Sequence, residues 1–160
     1  MRWIWIDRFV AFESGKSAVA IKAVTAGEDH IHDLYPSFPI FPHSLIIEGF
    51  AQTAGILTGE AGKFAEKVIL AKIGKAEFHR IARPGDVLRY EASLDTFGAA
   101  GASVSGQVFV GDDLLAEISM MFSHIDQNMS GLDFPEHNFV FTPQFVAMLD
   151  QVRGSVDSSL

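Results

Sequence analysis

Apolar and polar residues alternate along residues 17–25, where Val19, Ile21 and Ala23 share one face and Lys22 stands on the other, the period of a strand. Ser14-Gly15-Lys16 supplies a hairpin turn ahead of it, so residues 3–24 read as strand, turn, strand. Residues 26–43 break the pattern. His30, His32, Pro36, Pro39, Pro42 and His43 crowd together there, and prolines without backbone donors predict an ordered loop or a broken strand. Directly after Pro42 a helix is predicted, from His43 or Ser44 to about Phe64, with apolar residues on most sides as in a buried helix. Its exception is a narrow stripe of polar or small groups, Ser44, Glu48, Gln52, Gly55 and Gly59, which the helical repeat places on one face. Gly49, Gly55, Gly59 and Gly62 each cost the helix about 1 kcal/mol relative to alanine, which predicts close approach to its backbone by a tightly wrapped sheet.

Four more strands are predicted over residues 68–79, 87–96, 102–110 and 114–122, with turns at Pro84-Gly85-Asp86 and Gly111-Asp112-Asp113. Leu88, Tyr90, Ala92 and Leu94 alternate with Arg89, Glu91, Ser93 and Asp95, so the second of them carries one buried face. With no second crossover helix, the later strands are expected to be antiparallel, giving an α+β domain in which one sheet curls around one buried helix. This domain is expected to span residues 1–125. Residues 126–160 read as an appendage: aromatic at Phe134, Phe139, Phe141 and Phe145, with a short helix from Thr142 and Pro143 to about Val152 and a disordered end.

Composition narrows the function. A chain of 160 residues, 48% hydrophobic, builds one core without staples, and the absence of cysteine removes a disulfide framework, a thiolate nucleophile and any cysteine-built metal site. The net charge of −8 has the wrong sign for tracking nucleic acid or an anionic membrane, so neither is an expected partner. Glu48 and Gln52 interrupt the longest apolar stretch, and the first residues lack the pattern of a signal peptide; no membrane span and cytoplasmic residence are expected. Phenylalanine is heavily used, 14 residues against 2 Trp and 2 Tyr, as suits either an apolar binding site or an ordinary core.

Glu48 is the most informative residue. A carboxylate between Ile47 and Gly49 on an apolar helix loses hydration, which favours its neutral form and suits a general acid; the alternative is a carboxylate hydrogen-bonded for structural reasons at a subunit contact. At Pro42-His43-Ser44 the first backbone N–H groups of the helix point outward, an arrangement suited to polarising a carbonyl oxygen.

The run from Tyr35 to Gln52, YPSFPIFPHSLIIEGFAQ, resembles the signature HFPGxPxxPGxLxxExxAQ of the 3-hydroxyacyl-acyl carrier protein dehydratases of the FabZ type. Similarity extends over most of residues 2–124, through WIDRFVAFESGKSAVAIKAVT, FHRIARPGDVLRYEASL and GDDLLAEISMMF. The resemblance implies the hotdog fold, a dimer or higher homo-oligomer, and a thioester substrate carried on the phosphopantetheine of acyl carrier protein or coenzyme A, with no other cofactor. It also implies a mechanism: a histidine takes the C2 proton of a 3-hydroxyacyl thioester, and a carboxylic acid from the partner subunit assists departure of the 3-hydroxyl. On that pattern Glu48 is the acid, the backbone N–H of His43 polarises the carbonyl, and Phe41, Pro42, Ser44 and Gln52 contact substrate.

Two positions depart from the family. Leu34 stands where the catalytic histidine is, and His43 where a glycine leaves room for the thioester. General base catalysis is worth roughly 100- to 10,000-fold, so another group must substitute. In an extended chain His32 would point to the same side as Leu34, about 6 to 7 Å away, and is the expected base. His43 lies about 140° around the helix from Glu48 and does not share its face. No metal site is expected, since His30, His32 and Asp33 lack a third helix-fixed ligand. Three readings stay open: a dehydratase using Glu48 and His32; an acyl-thioester binding subunit lending Glu48 to a His-bearing paralogue in a heteromer; and a hotdog thioesterase.

Overall fold

The computed structural model describes residues 3–33, 35–125 and 140–157, among which six strands and three helices are found. In chain order they are β1 (Arg8–Glu13), β2 (Ser17–Ala23), α1 (His30–Asp33), α2 (His43–Ala61), β3 (Val68–Phe78), β4 (Val87–Gly98), β5 (Gly101–Val110), β6 (Asp113–His124) and α3 (Pro143–Asp157). The strands form one sheet in the order β1-β2-β4-β5-β6-β3. Every neighbouring pair is antiparallel, as the absence of a second crossover required. The sheet curls around α2, which touches β2, β3, β4, β5 and β6.

Sequence explains where α2 begins and which side it buries. Pro42, at φ −59° and ψ 138°, forms its N-cap, and no side chain caps the first turn. Ile46, Phe50, Ala54 and Leu57 recur at helical spacing and are fully buried in one core with Leu88, Tyr90, Val104, Val108 and Leu115 of the sheet. Burying each large side chain contributes about 1.5–3 kcal/mol. Glu48 and Gln52 lie two positions from Ile46 and Phe50, about 200° around the helix, and so stand off its fully buried face. Past the C-cap at Gly62 the chain turns through Lys63 and Phe64, both at φ 55°, held by a Phe64 N–H bond to the Gly59 carbonyl (2.7 Å).

Four expectations are corrected. Residues 30–33 form one helical turn rather than broken strand, because the prolines begin only at Pro36 and buried Ile31 anchors the turn. On β2 the fully buried face is Ala18, Ala20 and Lys22, while Val19 and Ile21 are half-buried; close helix packing admits alanine, and Lys22 buries its stem while its ammonium meets Glu28 and the Ala23 carbonyl. The sheet does not account for every close approach to α2, since Gly59 is met by Phe141 from the C-terminal segment. Finally, α3 runs to Asp157, past the expected end at Val152 and into the stretch expected to be disordered; a single Gly154 costs too little to stop a helix. Phe134, Phe139 and the rest of residues 126–139 lie outside the described residues, as does Leu34.

At the two sheet edges the treatment differs. β1 is covered by α3, whose Leu149 is fully buried. β3 ends the sheet, and Leu70 and Ile73 stay 39% and 43% exposed along it. No helix among the described residues is long and apolar enough to cross a membrane.

Candidate active site

Glu48 sits on the second turn of α2, half-buried, at one end of a cavity of about 330 Å³. One oxygen, Oε1, accepts hydrogen bonds from the Trp3 indole (3.0 Å) and from Gln52 Nε2 (3.0 Å). The carboxylate is therefore not stranded in hydrocarbon, as the sequence suggested, but held by two donors where polar and apolar walls meet. Gln52 is used completely. Its Nε2 also reaches the Trp3 carbonyl (3.1 Å), and its Oε1 accepts from the Trp5 backbone N–H (2.7 Å). Gln52 thus clamps the N-terminal segment onto α2 and fixes the direction of Glu48, a positioning role rather than a free hand for substrate.

Beyond this clamp the cavity is greasy. Gly55, Ile56, Val68, Leu70 and Phe122 line it, together with Val140, Phe141 and Phe145 from the C-terminal segment. Apart from Glu48, no group lining it among the described residues carries charge. A carboxylate at one end of an apolar slot is suited to move a proton on a molecule with one polar, reactive end and one hydrocarbon end.

His43 opens α2. Its ring stacks flat on Phe78, with centroids 3.9 Å apart and planes 2° apart, and its buried Nε2 has no hydrogen-bond partner. Burial holds its pKa below the ordinary value, against a hydrogen bond to the Arg80 backbone that works the other way. Ser44 is exposed, while Pro42 and Phe41 are buried. Phe41 is a core residue, bridged to Ala82 by its N–H (2.8 Å) and packed edge-on to Trp5 and His30. None of these four lines the Glu48 cavity.

His32, the expected base, is exposed on α1 with Nε2 3.0 Å from the Ala26 carbonyl. The helical turn replaces the extended chain that would have aimed it alongside position 34. No imidazole lines the Glu48 cavity among the described residues. His30 lies nearer the clamp, half-buried and edge-on to Trp5 at 4.9 Å, with Trp5 in turn 5.3 Å from Trp3. Burial lowers its pKa, while Glu28, 3.8 Å away, pulls it up.

Sequence reasoning missed Trp3 and Trp5 as supports of the site. Their spacing of two and their being the chain's 2 tryptophans was the available signal. Elsewhere, Glu77, His79 and Glu117 approach one another within 4.8 Å on the open face of β3 and β6. Lys75 already bridges the two carboxylates at 3.0 and 3.1 Å, so that cluster is a solvated ion-pair network.

A family model described as a FabA-like domain matches residues 3–119. The 3-hydroxyacyl-[acyl-carrier-protein] dehydratase FabZ of Caldanaerobacter subterraneus subsp. tengcongensis is 36% identical over 121 residues, 75% of this chain and 86% of that protein. FabZ of Desulforamulus reducens is 37% identical over 123 residues, 76% and 86% of the two chains. Among solved structures, the dehydratase heterocomplex ApeI:P from Xenorhabdus doucetiae superposes with a TM-score of 0.62 at 14% identity, covering 76% of this chain and 83% of that one, a likeness of fold. With the helix wrapped by an antiparallel sheet and Glu48 at the mouth of an apolar slot, the chain belongs to the FabA-like family of hotdog proteins, alongside the FabZ-type dehydratases.

Proposed function

We propose that the chain is the acid-bearing protomer of a 3-hydroxyacyl-thioester dehydratase, its substrate carried on the phosphopantetheine of acyl carrier protein or coenzyme A and no other cofactor required. The observation that carries this reading is Glu48, held by Trp3 and Gln52 at the polar end of an otherwise apolar cavity. An acyl chain occupies the apolar part, and the uncapped N–H groups at the start of α2 in a second chain are suited to polarise the thioester carbonyl. A base removes the C2 proton, the Glu48 carboxyl gives its proton to the C3 hydroxyl, and the C3–O bond breaks. Water and a trans-enoyl thioester leave.

The base comes from a second chain. This follows from a cavity that holds an acid and no imidazole among the described residues, and from the open β3 edge, a ready template for pairing with another copy. In a homodimer the candidate is His32. In a heteromer it is a histidine borne by a paralogue at the position of Leu34, a reading favoured by leucine at that position here.

The test is formation of enoyl thioester from 3-hydroxyacyl carrier protein and 3-hydroxyacyl coenzyme A. The wild-type chain, alone or with a His-bearing paralogue, is expected to turn over, and Glu48→Gln to lose about 100- to 10,000-fold. Release of free thiol without enoyl product would establish hydrolysis instead. No turnover with either carrier, alone or paired, overturns the reading.

A further inference from the structure

We infer that Phe141 and Phe145, from the segment beyond the hotdog sheet, form the end wall of the Glu48 cavity and set the longest acyl chain the site accepts. The inference rests on reading that cavity as an acyl site.

Position along α2 is the first argument. Glu48, Gln52, Gly55 and Gly59 share one stripe, and Glu48 and Gly59 stand about 16 Å apart along the axis at the helical rise per residue. The cavity follows this stripe past Glu48, Gln52 and Gly55. It does not extend to Gly59, where the Phe141 ring rests and which lines a second cavity of about 270 Å³ instead. A Cβ at that position would lie 2.3 Å from the Phe141 Cζ, so only glycine lets the ring rest on the bare helix backbone. The groove therefore has a reactive end and a closed end on the same face of one helix.

The wall is also backed rather than loose. Phe141 is 9% exposed, and its ring packs edge-on to Phe64 at 5.1 Å, on the turn that ends α2. Phe145 lies in the first turn of α3, its N–H bonded to the Thr142 carbonyl (3.0 Å), and α3 lies against β1 with Leu149 fully buried. A ring seated in a glycine notch and packed against Phe64 can stop a hydrocarbon chain. At about 330 Å³ the cavity is at the small end of small-molecule sites. The two phenylalanines also lie outside residues 3–119, the stretch that the family model matches.

The experiment uses the full chain and a homologous series of straight-chain acyl-pantetheine amides, which keep the arm but cannot transfer the acyl group. Wild-type affinity is expected to rise about fourfold per added methylene, the equivalent of about 0.8 kcal/mol, and then to stop rising at a definite length. Phe141→Ala moves that limit to longer chains. Phe141→Leu moves it less and serves if the alanine variant does not fold. Gly59→Ala, which pushes the ring off the helix from the other side, moves the limit without altering the C-terminal segment. A wild-type limit that none of the three variants shifts overturns the wall and leaves the acyl site standing. Wild-type affinity with no dependence on chain length overturns the acyl site, and the wall with it.

Discussion

The two ends of the groove along α2 are built by different parts of the chain. At the Glu48 end every support, Trp3, Trp5 and Gln52, lies within the 3–119 stretch that matches the FabA-like family, and the contacts are hydrogen bonds. At the Gly59 end the contact is a ring on a helix backbone, and the ring comes from beyond that stretch. Hydrogen bonds fix direction, which a proton-transferring carboxylate needs. Apolar contact fixes volume, which a chain-length limit needs. On the proposed reading, proton transfer and chain-length selection are thus assigned to separate segments and separate forces.

The largest expected effect belongs to the reactive end. Glu48→Gln keeps Gln52 and Trp3 in place yet removes the proton donor, so turnover falls about 100- to 10,000-fold while the melting temperature stays within a few degrees, read by kinetics and calorimetry on the same sample. A loss of fold together with activity would make Glu48 a structural residue and erase the contrast between the ends. Next comes Gly49→Ala, on the sheet-facing side between them. Its added Cβ would lie 2.5 Å from the buried Tyr90 hydroxyl, and overpacking of that kind costs about 1–3 kcal/mol by denaturant unfolding. An unchanged midpoint would mean that α2 has slack against the sheet, and that Gly59 is not a comparable notch.

Acid sensitivity gives a smaller effect. Burial lowers the pKa of His43, so below its ordinary value of 6.5 the unfolded chain takes up a proton that the native protein resists. The stability contributed is full above that pH and is lost as the pH falls through it towards the folded value. His43→Phe keeps the stack on Phe78 and should flatten the acid limb of a stability profile in part, since burial lowers His30 as well. An unaltered profile would contradict the placement of that ring. Smallest is Tyr90→Phe: the hydroxyl is buried with no hydrogen-bond partner, so the variant should be at least as stable as the parent. Destabilisation would reveal a partner for it.

Much of this was legible in the sequence, for local reasons. Pro42 announced the start of α2, the alternation at Leu88, Tyr90 and Ala92 announced the buried face of β4, and the stripe through Glu48, Gln52 and Gly59 announced a face unlike the rest of the helix. Periodicity records which face a residue occupies, not what meets it. The bond from Trp3 to Glu48 spans 45 positions, and nothing in the sequence near either residue encodes it. Gly59 signalled a close approach, yet a strand and a phenylalanine more than 80 positions later leave the same trace. On β2 two alanines and a lysine took the buried face from valine and isoleucine, because the gap to α2 rather than hydrophobicity decided.

A crystal structure of the assembled protein with a 3-hydroxyacyl-pantetheine amide bound would test the account most directly. It predicts the 3-hydroxyl oxygen within about 3 Å of the Glu48 carboxylate, the hydrocarbon end against Phe141, and an imidazole from a second chain facing C2. An acyl chain bound elsewhere, or lying in the groove with its hydroxyl turned away from Glu48, would contradict it.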